Sequence, residues 1–501
     1  MKRNSPIVFA LLLLLEAAVR AQVNLADFGF NSTHLPRERP VLVILADFPL
    51  KPLNGSDAQW HQLMFDAQGF SGANYEQENS NGRFSIIPAR SQPLRLHMIT
   101  EDRPDVIQAQ HPLWGSSQVD AEFLGRVIRK AIDSGFNFAP FDANGDHALD
   151  SPSELSIVVV NSLRSDGGAG NRGFIAQQDV VNNVTVTGGA ISLDHYPNFD
   201  TITHEFGHSF GVPYELYTLR PGGGVINQGM TVMSSSGVGS NRADLVGTTA
   251  WDPGSVHFDP WLKMKFGWSE PKNIVHIRSG GRFDIPVASS GSIDGPVILY
   301  DPARIHEFFI LEYRSASKSA PNYDNAFGRD GPSNNREGLV IWQVTTQDDH
   351  SSFPSPWIPA DPLLTQNQPG GYSSSILCRC PPDLNVTANA PWISGQTTPP
   401  LKWFDGTTTS TRIHILPFAA GASTITVDIL AEYDTWVDFS YVGPEDGTFA
   451  HPFNTFAEGV SNVGYGGNLW MKPGQKAETI SNLAKPMTIR SLGGAATIGQ
   501  P

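Results

Sequence analysis

A chain of 501 residues with a formal net charge of −15 and no concentrated basic block is a poor partner for nucleic acid. Its length predicts roughly two to four domains. Two cysteines, Cys378 and Cys380, exclude a disulfide framework, and a bridge across the single residue between them would be strained. The 48 glycines and 38 prolines, with short β-branched runs between them, predict a turn-rich molecule that becomes largely β beyond its first half.

Residues 1–21 read as a secretory signal peptide. Lys2 and Arg3 form a basic start, Ile7 to Leu15 an apolar core, and Val19-Arg20-Ala21 a small-residue cleavage site. The apolar run falls short of the ~20 residues a membrane span needs. No later stretch is long and apolar enough either, so a secreted, extracellular protein without a membrane span is expected. Loss of Lys2, Arg3 and Arg20 together with Glu16 moves the formal charge from −15 to −17. Asn31, Asn54, Asn183 and Asn385 each begin a glycosylation sequon, which matters only in a glycosylating cell.

The mature chain opens with a buried strand at residues 40–48 (PVLVILADF). Residues 118–134 carry an apolar stripe of Ala121, Leu124, Val127, Ile128, Ala131 and Ile132, which predicts an amphipathic helix ended by Gly135. Residues 156–161 (SIVVVN) predict a second buried strand. This order points to a sheet flanked by helices.

Between that helix and strand, oxygen side chains alternate with spacers. Asp142, Asn144, Asp146 and Asp150, with the Ala148 carbonyl, are spaced as in a loop that wraps Ca²⁺. His147 stands where such a loop usually has Gly, and Ser153 holds the twelfth position with Glu154 one later. An Asx-rich turn that needs no metal accounts for the same residues.

The densest chemical signal is residues 204–208 (HEFGH). On a helix, His204 and His208 fall one turn apart on one face, the geometry two imidazoles need to hold one Zn²⁺. Glu205 lies beside the first of them, placed to take a proton from metal-activated water. Asp200 is the predicted N-cap, Ile202, Phe206 and Phe210 the buried face, and Gly211 with Pro213 the stop. The chain must then turn, so that a third ligand can return to the metal.

From about residue 272 the pattern changes to short β runs. The clearest are residues 308–313, 338–344, 412–416 and 423–430, with a loop-like stretch over 345–400. Beyond about residue 436, short strands at 468–471, 478–480 and 487–489 resemble the opening rungs of a parallel β-helix. Two rungs are fewer than a solenoid needs to stand alone, so this segment is expected to pack on its neighbour, and a plain β-appendage fits equally well.

Taken together, these motifs resemble the immune inhibitor A family of secreted zinc metallopeptidases, a metzincin-like group. The similarity rests on residues 204–208 with Gly211 and Pro213, on residues 75–84 (YEQENSNGRF), and on the Asp142 to Asp150 loop. Residues 229–234 (GMTVMS) resemble a methionine turn formed by Met233, and residues 261–268 (WLKMKFGW) a closing signature. Residues 307–314 and 338–344 are similar to the β segments that follow, so the likeness spans about residues 40–430.

The resemblance implies an α+β zincin-like catalytic domain at residues 22–271. A β-rich, sandwich-like domain at 272–432 and a short β-helix-like segment at 433–501 follow it. It also implies Zn²⁺ as cofactor, extracellular proteins or peptides as substrates, and Glu205 as general base and acid. One departure stands out. The family places an acid three positions after the glycine matched by Gly211, where this chain has Tyr214, with Glu215 one later. Glu215 reaching the metal, Tyr214 binding through its phenol, and another or no protein ligand all remain open. Tyr217 or Tyr214 is a candidate hydrogen-bond donor to the oxyanion. The same departure favours an alternative: a secreted binding or adhesion protein with an impaired metallopeptidase-like domain.

Overall fold

The computed structural model describes Phe28 and residues 35–66, 71–151, 153–163, 169–194, 199–210, 218–219, 225–226, 257–288, 295–305, 307–315, 337–345, 373–376, 392–403, 407–479 and 483–499. Its first unit is built on strand β1 (Glu38–Asp47), which pairs in parallel with β2 (Ser85–Pro88) and β3 (Leu94–His97) on one side. On the other side lies parallel β5 (Ser156–Asn161), followed by β8 (Val184–Asp194). Every residue of β5 is buried, as a strand covered on both faces must be.

Strand β8 also takes parallel β4 (Ala148–Ser151) and two antiparallel partners, β6 (Ala169–Gly173) and β7 (Gln177–Asp179). Gly188, at φ 104°, lets β8 pass β4, since a Cβ there would fall 1.8 Å from the Ser151 carbonyl oxygen.

Alternation along β1 divides the core. Val41, Val43 and Leu45 enter one cluster, Leu42, Ile44 and Ala46 the other. Helices α1 (Asp57–Phe65), α2 (Gly72–Asn79), α5 (Phe199–Ser209) and α6 (Pro260–Lys265) contribute to the first cluster. Helices α3 (Pro104–Gln110) and α4 (Ser116–Asp133) cover the second, and α4 is the predicted amphipathic helix.

After the short antiparallel pair β9 (Thr218–Leu219) and β10 (Val225–Ile226), another sheet follows in the order β11 (Asn273–His276), β13 (Val297–Tyr300), β14 (Glu307–Ser315), β15 (Glu337–Thr345) and β16 (Ser373–Ile376). Strand β16 falls within the stretch predicted to be loop-like; its SSSI sequence carries little β signal, and pairing with β15 makes it a strand. On one face Ile298, Phe308, Ile310, Val340 and Trp342 join the first core. On the other, Phe309, Leu311 and Ile341 pack on β12 (Gly281–Pro286), β17 (Thr411–Ile415) and β18 (Thr424–Ala431). Packing therefore runs without a break across residues 271 and 272.

At the C-terminal end, β19 (Asp434–Val437), β20 (Asn468–Met471) and β22 (Thr488–Ser491) stack in parallel, with Trp436, Trp470 and Arg490 in register. The two indoles stack at 5.6 Å and the Arg490 guanidinium covers Trp470. Strands β21 (Gly474–Lys476) and β23 (Ala496–Ile498) form a second parallel pair. Of the strand predicted at 478–480, Ile480 lies outside the described residues and Glu478 and Thr479 are not in a strand; β21 precedes them. Glu478 is instead drawn to helix α7 (Phe456–Asn462), where its carboxylate accepts from the Phe456 and Ala457 amides. Tyr465 ties this coil to the preceding sheets through backbone bonds with Ala431 and Ser279. The architecture is mixed α/β with several sheets and few helices, followed by a β-rich part.

Candidate active site

Helix α5 leaves the sheet from β8. Its first residue is Phe199, so Asp200 lies inside the first turn rather than capping it, still at the end where a carboxylate favours the helix dipole. Ile202, Phe206 and Phe210 are buried in the first core, as their spacing predicts. His204 and His208 occupy positions one turn apart on this helix, and their side chains lie outside the described residues. Glu205, between them, is 8% exposed. Gly211, Pro213, Tyr214, Glu215, Tyr217 and Met233 also lie outside the described residues.

Aromatic packing fixes the end of α5. Phe210 meets Phe84 at 4.8 Å, Phe266 at 5.9 Å and Trp268 at 6.0 Å, and Phe84 stacks on Trp268. Two segments singled out by their resemblance, around Tyr75–Phe84 and Trp261–Trp268, therefore converge on the histidine-bearing helix. Polar contacts sew them together. The Phe258 amide donates to Asn79 Oδ1 at 2.9 Å, and Arg83 donates to the Gly267 carbonyl at 2.9 Å.

A buried charged cluster lies along this seam, and only part of it was suggested by sequence. Glu78 Oε1 lies 2.7 Å from His257 Nε2, and Lys263 Nζ 2.9 Å from His257 Nδ1. Arg314 donates to Glu312 at 2.8 Å and to the carbonyls of His257 and Phe258 at 3.1 and 2.7 Å. The Trp342 indole donates to the same Glu312 carboxylate. Asp259 caps α6 by accepting from Trp261 and Leu262, and burial pushes its carboxyl up to about 7. Glu78, Lys263, Glu312 and Arg314 fall within the resembling segments, whereas His257 carries no local signal.

Glu76, one turn before Ser80 on α2, is fully buried. Among the described residues neither of its carboxylate oxygens has a hydrogen-bond partner, and desolvation raises its pKa well above the ordinary carboxyl value. The folded protein therefore keeps a proton that the unfolded chain releases. Stability is fully present below the unfolded carboxyl pKa and declines as pH rises toward the folded one. Glu76→Met should raise stability, and more at alkaline than at acidic pH, as read from urea unfolding midpoints. A gain that does not vary with pH would show that the carboxyl is ionised in both states.

The Asp142 loop is held by its own amides. Asp142 accepts from Gly145 at 2.8 Å and His147 at 2.9 Å, Asn144 accepts from Asp146, and Asp146 from Ala148. His147 adopts φ 64°, the left-handed conformation for which such loops usually use Gly. The loop closes on Glu154 rather than Ser153: the Glu154 carboxylate accepts from Ala143, Asn144 and Asp150. Among the described residues no three His, Cys, Asp or Glu side chains gather in the arrangement of a metal site. The donor set is all oxygen, and a carboxylate has lone pairs beyond the amides it accepts, so its chemistry suits a hard cation. Comparison with protein-family models gives no match, and comparison with curated protein sequences gives none.

Proposed function

We propose that this chain is a secreted zinc-dependent endopeptidase, with a zincin-like catalytic domain, that hydrolyses peptide bonds in extracellular proteins. The observation that carries the reading is the placing of His204, Glu205 and His208 on one helix, directly after the strand that separates parallel β5 from antiparallel β6. Two imidazoles one turn apart suit Zn²⁺, and a buried carboxylate between them suits proton transfer. His204 and His208 would hold the ion, with Glu215 as the third ligand. A Zn²⁺ ion held there supplies Lewis acidity toward water and the scissile carbonyl.

The chain's own residues then do the rest. Glu205 takes the proton of the attacking water and returns it to the departing amine. Tyr217 offers a hydrogen bond to the developing oxyanion. Strand β6 pairs only with β8 among the described residues and packs beside α5, so its other edge suits an extended substrate backbone.

Purified protein should contain stoichiometric zinc, degrade casein, and lose both zinc and activity on chelation. Loss of zinc in Glu215→Ala would identify the third ligand. Zinc-loaded protein that leaves casein intact would overturn the peptidase and favour the binding or adhesion protein. A calcium ion in the Asp142 to Glu154 loop would stiffen the fold without reacting; an unfolding temperature unmoved by Ca²⁺ would exclude it.

A further inference from the structure

We infer that Asn183 is an N-glycan attachment site, and that the first sugar of the glycan covers the apolar tip of the β7–β8 hairpin. The inference rests on the secreted reading of the chain and not on its hydrolase chemistry. Of the four sequons, those at Asn31 and Asn385 lie outside the described residues, which leaves Asn54 and Asn183. Residues 180–183 turn the chain between β7 and β8, whose pairing begins at Asp179 and Val184. The Asp179 carboxylate holds the turn by accepting from the Val181 and Asn182 amides, both at 3.1 Å, and from the Asn182 side chain at 2.7 Å. Asn183 closes it at φ 55°, a left-handed conformation that asparagine tolerates better than most residues with a Cβ. Val184 beyond it is 2% exposed, whereas Asn183 is exposed, so the fold has room there for a bulky sugar chain. Asn54 has less room. It is half-buried, its carbonyl accepts from the buried Trp60 indole, and its sequon hydroxyl, on Ser56, caps α1.

A second observation comes from the same turn. Val180 is 78% and Val181 87% exposed, two adjacent aliphatic side chains turned into water at a hairpin tip. Exposed aliphatics scattered singly are ordinary, but a pair beside a glycan acceptor has a cover within reach. A pyranose ring has an apolar C–H face, and the N-acetyl group of the first sugar adds a methyl. Laid back from Asn183 over Val180 and Val181, they take this surface out of water. The donor is a lipid-linked pyrophosphoryl oligosaccharide. The bond from the anomeric carbon of its N-acetylglucosamine to a phosphate oxygen breaks, and a bond from that carbon to Asn183 Nδ2 forms. The lipid pyrophosphate leaves with the bonding electron pair, and the displaced amide proton passes to solvent. Transfer to the growing chain precedes the pairing of β8, in which Thr185 becomes half-buried, so its hydroxyl is then available to the sequon.

The test is expression of the full chain in a eukaryotic cell that N-glycosylates its secreted proteins. A supplied leader in place of residues 1–21 keeps the result independent of whether those residues direct export. Peptide masses after enzymatic glycan release in heavy-oxygen water should mark Asn183 as modified, at higher occupancy than Asn54. Asn183→Asp, which suits the left-handed turn, and Thr185→Val, which leaves Asn183 in place, should each abolish the glycan at this position. Val180→Thr combined with Val181→Thr then reads the covering role. The pair should raise the ammonium sulfate concentration that precipitates the Thr185→Val protein, and leave that of the glycosylated protein unchanged. An exported chain with Asn183 bare, or less occupied than Asn54, would overturn the inference. So would equal shifts from the valine substitutions with and without the glycan.

Discussion

Glu205→Gln should lower peptide-bond hydrolysis by at least about 100-fold, the usual loss when a general acid–base group is removed. The substitution preserves shape and hydrogen-bonding reach but removes the ability to take a proton. A 100-fold fall corresponds to about 2.7 kcal/mol of lost transition-state stabilisation. Because the role proposed for Glu205 lies in the chemical step, the fall should appear in kcat with KM nearly unchanged. Zinc content and unfolding midpoint should stay near wild type, since the proposed metal ligands are untouched and Gln fits the same 8%-exposed position on α5. Near-normal casein degradation by a folded, zinc-replete variant would remove Glu205 from the mechanism.

The parts of this architecture that could be read from sequence are those whose burial is periodic and local. The SIVVVN run forms β5 because both sheet faces are covered, and the stripe from Ala121 to Ile132 forms α4 because one helix face meets the second core. Strand β6 (AGNRG) has almost no β signal of its own, and only pairing with β8 makes it a strand. Glu154, one position beyond the twelfth, closes the Asp142 loop in place of Ser153, because counting positions cannot foresee how the chain bends after Asp150. The Glu78–His257 contact joins residues 179 apart, a separation no window of sequence covers. For the candidate site, the helix bearing His204, Glu205 and His208 was legible from a five-residue pattern. The proposed third ligand falls within residues 211–217, outside the described residues, where Tyr214 and Glu215 differ by a single position and spacing alone cannot choose between them.

Arg314→Met should destabilise the protein by about 3–5 kcal/mol, the usual cost of stripping one partner from a buried ion pair. The guanidinium is 2% exposed and its partner Glu312 4%, with 2.8 Å between them. Methionine fills part of the volume but leaves the Glu312 carboxylate buried with the Trp342 indole as its remaining donor among the bonds described above. The His257 and Phe258 carbonyls also lose a charged donor each. These two carbonyls lie in the segment before α6, whereas Arg314 belongs to β14, so the loss falls on the junction between the first unit and the sheet of β14. Proteolysis of the variant should therefore begin near residue 257 before the sheets themselves are cut. The pair can be tested against its isosteric replacement: Glu312→Gln combined with Arg314→Met removes the stranded charge and should recover part of the stability. A single variant as stable as wild type would show that solvent reaches Glu312 and that the junction does not depend on this pair.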